Sequence, residues 1–429
     1  MTERKSTPPE AALVAIDIAK HRNEVLIDPG HGRRRRMTVL NTKDDHDRFV
    51  TALHVLSRPI IVGIEPTGNY HRVLAHRLIS AGFQVRLISS MALARTREAL
   101  HNSWDKNDPK DAQVILHMLS IGATMAYQDP LASGINDLQE LSKTHEFVSK
   151  AKTEIWHRLL THYLPLYFPE IERFAGNSRS DWFLAFLERF PTPASIITLT
   201  KENFIATAWD VVGRKVSKTR LLGDIYETAC ASAALPVPLD APAIVMFRLV
   251  LAEARGLIRQ RDAIEAQADE LLRTHPDYSR LRQLPGIGPI HALTILAGDL
   301  RRFGHHRQFL KFCGFDLATH QSGQFRGLTR LSKYGNARLR RTFWLAAQVA
   351  IHQRENSFRD HFGRHIAKDR DNKDLRRKAL TAVAAKMARV AHALVKTGTD
   401  YRPFFDGPVP SGRTRSVGAV RARSETSTL

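Results

Sequence analysis

Apolar residues in the first quarter of the chain come in short runs separated by polar turns, the pattern of strands rather than long helices. Ala11 to Ile18 (AALVAIDI) is one such run, NEVLID and MTVL follow closely enough to pair with it as a meander, and PIIVGIE and FQVRLIS are two more. The last two are separated by YHRVLAHRLIS, whose apolar positions recur at helical spacing. A further helix is expected from about Asp108 to Leu119. Strands first and helices interleaved afterwards predict an α/β unit with a mixed sheet.

Beyond residue 130 the strand pattern stops. Leu141, Val148 and Ile155 recur every seven residues, and Val250, Ala254, Leu257, Ile264, Ala268 and Leu271 follow related spacing interrupted by Arg261. Two long helices are expected, and the spacing fits an antiparallel coiled-coil arm and a packed bundle equally well. Between them, at about 165–240, lies a proline-punctuated helical insertion. Residues 281–405 read as a mainly helical unit that ends in a helix carrying Leu380, Val383, Met387, Val390 and Leu394 on one face, and 406–429 as a disordered basic tail. The expected fold class is a ribonuclease-H-like α/β domain over residues 1–130, then helical coiled-coil and C-terminal domains over 131–280 and 281–405.

Composition narrows the partners. The 429 residues exceed what one core comfortably organises, and no apolar run is long enough to span a bilayer. The N-terminus lacks the apolar segment of a signal peptide, and two cysteines in unrelated surroundings give neither a disulfide framework nor a cysteine zinc site, so a cytoplasmic location is expected. Charge is the strongest global datum: 64 Lys and Arg against 43 Asp and Glu give a formal +21. Such a chain attracts polyphosphate, because each neutralised phosphate releases condensed counterions. A nucleic acid is the expected partner.

Four carboxylates stand out against that background. Asp17 sits inside an apolar strand, where an ionised side chain needs a cation or donors. Glu65 ends the next buried strand, in GIEPTGNY, and Asp108 and Asp111 in KNDPKDA lie three apart at a helix start, on one side of it. Singly, each has an ordinary explanation, such as a helix cap for Asp108. As a set within one α/β unit they suit a pair of divalent ions about 3.5 to 4 Å apart, the arrangement that clamps the attacking and leaving oxygens of a phosphodiester.

The C-terminal unit opens with LPGIGP, where Gly286 and Gly288 permit a tight turn whose N–H groups can hold a phosphate. From Arg301 through Arg341 ten Lys or Arg face one acid, Asp316, with Phe303, Phe309, Phe312, Phe315, Phe325 and Tyr334 interleaved. A basic, aromatic surface of this kind fits nucleic-acid contact. Within it, THQSGQFRGLTRLSKYGNARLRR contains a serine next to a glycine, a pairing too common in loops to single out Ser322 by itself.

AIDIAK, GIEPTGNY and KNDPKDA resemble the three motif blocks of the DEDD insertion-sequence transposases, and THQSGQFRGLTRLSKYGNARLRR resembles their second signature region, in which a serine next to a glycine precedes a Lys-x-Gly-Asn-x-x-Leu-Arg stretch. Relatives of that family include Piv-type DNA invertases. The resemblance covers roughly residues 11–125 and 281–350; the insertion, the basic tail and Cys313-Gly314-Phe315 depart from the usual pattern. It implies a RuvC-like N-terminal domain with Asp17, Glu65, Asp108 and Asp111 holding Mg2+ or Mn2+, and Ser322 as a DNA nucleophile, with Ser332 as the fallback. By charge, Arg326, Arg330, Lys333, Arg338, Arg340 and Arg341 are the expected nucleic-acid contacts; the resemblance implies a structured guide RNA beside double-stranded donor and target DNA, and a homo-oligomer is expected. Competing expectations are a junction-resolving nuclease or invertase using metal-activated water, and a non-catalytic nucleic-acid-binding protein.

Overall fold

A computed structural model describes residues 10–101, 108–176, 181–212, 217–322, 325–354 and 356–403. The expected tail at 406–429 lies outside the described residues. Two compact units emerge: one runs to Tyr278 and includes Pro289–Gln308, the other combines Ser279–Gly288 with the chain from Phe309 onward.

The first unit contains the expected sheet. Strands β1 (Ala12–Asp17), β2 (Arg22–Asp28) and β3 (Arg35–Leu40) form an antiparallel meander, while β4 (Ile60–Ile64) and β5 (Gln84–Leu87) add parallel to β1 on its other side. A two-residue antiparallel edge, β6 (Met125–Ala126), completes the order β3-β2-β1-β4-β5-β6. The first five strands have the order and direction of a ribonuclease-H-like sheet. Helices α1 (Lys43–His54) and α2 (His71–Ser80) cover one face, and α4 (Asp108–Ser120) the other, with α3 (Ser90–His101) beside it.

Strand β1 is central, and its sequence shows why an almost continuous apolar run is needed there. Ala12, Val14 and Ile16 pack with Phe49, Leu53, Leu74 and Leu78 from α1 and α2. Ala15, with Leu13 partly buried beside it, belongs instead to the cluster of Ala112, Ile115, Leu116 and Leu119 from α4. Both faces are covered, so both sets of alternate residues are apolar.

The helical remainder of this unit settles the coiled-coil question. Helix α5 (Asn136–Arg158) lies antiparallel to the Pro242–Arg273 helix, because His145 meets Glu265 at 3.1 Å while Tyr163, just beyond α5, stacks on Phe247 with ring centroids 5.1 Å apart. The insertion is not an appendage. Phe168, Phe183, Phe186 and Phe204 share one core with Phe247, Leu251 and Ile258, so this end is a bundle. The buried seam of the Pro242–Arg273 helix keeps Ala254 and Ala268 of the expected one but takes Ile258 and fully buried Leu272 in place of Leu257 and exposed Leu271. Arg261, which interrupts the apolar spacing, is buried against Asp262 and Glu265. Among the described residues no helix is long and apolar enough to cross a membrane.

The second unit is built on the Ala337–Ala350, Ser357–Ile366 and Lys373–Thr397 helices, with Phe343, Phe358, Val383, Ala384, Met387 and Ala388 buried. The apolar face expected at Leu380, Val383, Met387 and Leu394 is buried, with Val390 at its edge. One element has no counterpart in the helical expectation, a hairpin of β7 (Leu317–Ser322) and β8 (Phe325–Leu331).

Close approach of α4 to the sheet depends on Gly63. A Cβ at that position would stand 2.7 Å from Leu119 Cδ1 and 2.8 Å from its Cγ. Replacing Gly63 with valine should therefore overpack the seam and cost about 1–3 kcal/mol in chemical denaturation. Leu119→Ala in the same background should relieve the clash, so the double variant loses less than the sum of the two single losses. Strict additivity would mean that the seam does not depend on this contact.

Candidate active site and nucleic-acid interface

The parallel register pairs Ile16 with Ile64, so Asp17 and Glu65, the next residues, come side by side at the carboxyl ends of neighbouring strands. Ile16 and Ile64 both pack on the α1 and α2 face. Alternation from Ala15, which packs on the α4 face, puts Asp17 at the end of β1 on that same side, and Glu65 directly follows β4. Both are half-buried.

The turn after Asp17 is held from beneath. Asn23, fully buried in β2, accepts from the Ala19 N–H through Oδ1 (3.2 Å) and donates from Nδ2 to Asn41 Oδ1 (2.6 Å). Asn41 in turn donates to the carbonyls of Ala19 (2.9 Å) and Lys20 (3.0 Å). Neither asparagine was singled out by sequence. The available signal was a polar residue at an inward position of an otherwise apolar strand.

Asp111 lies on α4 with no solvent exposure. Its Oδ1 accepts from Arg97 Nε of α3 at 2.5 Å, and its Oδ2 is buried without a hydrogen-bond partner. Asp108 is the first residue of α4, one turn earlier, and its side chain lies outside the described residues. Among the described residues no three acidic, histidine or cysteine side chains form a ready metal cage. The donor set nonetheless fits a hard divalent ion: carboxylate oxygens from two strand ends and α4, one of them buried and unsatisfied. Asp17, Glu65 and Asp111, with Asp108, are the residues that would hold it.

In the second unit the hairpin orders the serine region. Ser322 ends β7 and is the register partner of Phe325; the two residues between lie outside the described residues, as do the side chains of Ser322 and Arg326. Leu317 pairs with Leu331 at the other end. Ser332, just beyond, donates its N–H to the Asp316 carbonyl at 2.8 Å. Five strand steps separate the two ends, about 17 Å. Ser322 and Ser332 therefore occupy opposite ends of the hairpin and are not interchangeable.

The SKYGN segment is largely scaffolding. Asn336 caps the Ala337–Ala350 helix, its Oδ1 accepting from the N–H groups of Arg338 (3.0 Å) and Leu339 (3.1 Å). Gly335 sits where a Cβ would meet Gly314 N at 2.7 Å and Lys311 O at 2.8 Å. Arg340, expected on nucleic acid, donates from Nη1 to the carbonyls of Lys333 (3.1 Å) and Cys313 (3.3 Å). Gly286 has φ +82, and a Cβ there would collide with the Ala346 carbonyl, so packing on the Ala337–Ala350 helix accounts for that glycine. At Gly288 a Cβ would find only Arg282 Nη1 at 3.8 Å.

Two family models match the chain: a DEDD transposase model over residues 14–169 and the Transposase IS116/IS110/IS902 family model over 278–363. The Insertion element IS110 uncharacterized 43.6 kDa protein of Streptomyces coelicolor is 24% identical over 85% of this chain and 86% of its own length. A probable family 20 transposase of Pseudomonas aeruginosa is 32% identical over 42% of this chain and 52% of its own. The chain belongs to the IS110/IS116/IS902 family of insertion-sequence transposases. Another relative, the transposase for insertion sequence element IS1111A of Coxiella burnetii, is 29% identical over 34% of this chain and 41% of its own. Among solved structures, Thermus thermophilus RuvC with a Holliday junction substrate aligns over 27% of this chain and 99% of its own, at 11% identity and a TM-score of 0.21, too low to add to what the sheet order shows.

The basic segment of this transposase divides by role. Arg301 makes a two-pronged pair with buried Asp277 at 2.8 Å, and burial holds the Arg302 guanidinium below its usual pKa. Both belong to the first unit. Phe309 is core, edge-on to Phe343 and stacked on His392, and Phe315 is buried, so the expected aromatic surface shrinks to residues such as exposed Tyr334. Arg330, Lys333 and Arg341 are exposed.

Neutralising Arg330, Lys333 and Arg341 together should lower the slope of log affinity against log salt by about 0.9 per lost DNA phosphate contact, with the fold unchanged. Arg340→Ala should instead destabilise the second unit by about 0.5–1.5 kcal/mol, because two carbonyls at its edge lose their donor. A salt slope unmoved by the triple substitution would place the interface elsewhere.

Proposed function

We propose that this transposase cuts and rejoins DNA by transesterification, with the Ser322 hydroxyl as nucleophile. In this reading Asp17, Glu65, Asp108 and Asp111 hold Mg2+ or Mn2+, and a structured RNA selects donor and target. What supports it is the parallel register that sets Asp17 and Glu65 at the ends of neighbouring strands, together with a buried Asp111 oxygen on α4 that has no hydrogen-bond partner.

In the first step a bond forms between Ser322 Oγ and phosphorus and a phosphorus–oxygen bond to deoxyribose breaks. The serine proton is lost to a base and the departing sugar oxygen gains one. In the second step a hydroxyl of another strand attacks the same phosphorus and releases the serine. The number of phosphodiesters is conserved, so no ATP is needed. Divalent ions bound at the carboxylates would stabilise charge on the leaving oxygen. Exchange between two duplexes needs more than one serine, which supports a homo-oligomer. The +21 charge and the exposed Arg330, Lys333 and Arg341 support RNA and DNA as joint partners.

Suicide DNA substrates should trap a covalent protein–DNA adduct that survives denaturing electrophoresis and maps to the peptide around Ser322. Ser322→Ala should bind nucleic acid with near-parental affinity and form no adduct. An adduct that persists in Ser322→Ala makes another residue the nucleophile. Cleavage without any adduct makes the protein a water-using nuclease on the same carboxylates. Sequencing the nucleic acid that copurifies should return one discrete RNA encoded beside the gene; random fragments would remove the guide from the reading.

A further inference from the structure

Among the described residues Arg97 donates to the buried Asp111 side chain, and the way it binds bears on a metal. Arg97 is itself almost buried, its side chain 11% exposed, and it donates from Nε to one of the two carboxylate oxygens. Oδ2 of a side chain with no solvent exposure is left with no donor. A buried carboxylate with one oxygen fixed and the other unsatisfied is an incomplete arrangement, since an unmade hydrogen bond in the interior is costly. It becomes complete when a cation meets the second oxygen. The two helices involved are packed together, α3 supplying Arg97 and α4 supplying Asp111.

We infer that Arg97 is a positioning residue for the carboxylate site: it holds Asp111 Oδ1 so that Oδ2 is presented, as a single oxygen, to a divalent ion. The inference rests on the reading of the carboxylates as a metal site. Arginine suits the task on three grounds. Its charge is permanent, so it supplies a countercharge to the buried Asp111 side chain in the metal-free protein. Its planar fork fixes direction as well as distance, which lysine does not. By donating to one oxygen it also disfavours two-oxygen chelation by Asp111. Partners of this kind typically alter metal affinity by about 10- to 100-fold when removed. The opposing effect is electrostatic: loss of a nearby positive charge favours a cation, and it predicts tighter binding.

Mn2+ affinity, read by electron paramagnetic resonance of free Mn2+ in the full-length protein without DNA, separates these outcomes. The parent should bind Mn2+, and Asp111→Asn should bind it far more weakly. Arg97→Gln, shown to be folded by circular dichroism, should bind about 10- to 100-fold more weakly than the parent. Arg97→Lys keeps the charge without the fork and should fall between the two; it also serves if the glutamine variant does not fold. Parental or tighter affinity in Arg97→Gln or Arg97→Lys, with Asp111→Asn defective, overturns the positioning role and leaves the metal site standing. A parent that binds no Mn2+, or an Asp111→Asn variant that binds like the parent, removes the metal site at Asp111 and the positioning role with it.

Discussion

A carboxylate with no access to water sits in the seam between a helix and a sheet, and its charge has to be answered inside the protein. The first unit is arranged around that requirement. Gly63 lets α4 come down onto β4 beside Leu119, which buries the helix face next to Asp111. Arg97 then supplies the countercharge from α3. Burial of such a pair is stabilising only when geometry is good and the remaining lone pairs are met. Here one lone-pair set is met and the other is not. The seam thus favours a rigid helix placement and leaves one oxygen available for chemistry.

The same seam explains why a glycine, two asparagines and an arginine matter as much as the acids. Asp17 and Glu65 owe their neighbouring places to parallel register, and Asp17 owes its face to alternation through Ala15. The turn that follows Asp17 is fixed by Asn23 and Asn41 rather than by Asp17 itself. A strand-end carboxylate on a loose turn would wander by more than a metal ligand tolerates, so the support is part of the site.

Strand order was legible because period-two patterning and short apolar runs survive in the sequence wherever both sheet faces are covered. Asp17 and Glu65 were legible for the same reason: a charge breaks an apolar run visibly. Arg97 was not, because an arginine in the helical segment SMALARTREALH looks like ordinary surface, and only the fold places it against Asp111. The hairpin escaped because LATHQS and FRGLTRL carry polar residues on both strands and little alternation, so composition suggested a basic loop. The seam of the Pro242–Arg273 helix shifted because heptad spacing alone does not choose between Leu271 and Leu272; the packing partner does.

In the second unit the segment most like a family signature mixes two kinds of residue: exposed Lys333 and Arg341, and residues that serve the backbone. Gly335, Asn336 and Arg340 serve the backbone: one permits close approach to the 311–314 turn, one caps a helix, one bridges two carbonyls. Such roles call for particular residue types as strictly as catalysis does, so a recurring motif is weak ground for assigning contact with DNA. What the scaffold accomplishes is to fix the base of the β7–β8 hairpin, where Leu317 pairs with Leu331 and the Ser332 N–H bonds Asp316. With the base fixed, the far end of a two-stranded ribbon extends about 17 Å away along the strands. The two serines of this region thus stand at opposite ends of one hairpin, Ser322 beside the turn and Ser332 at the anchored base.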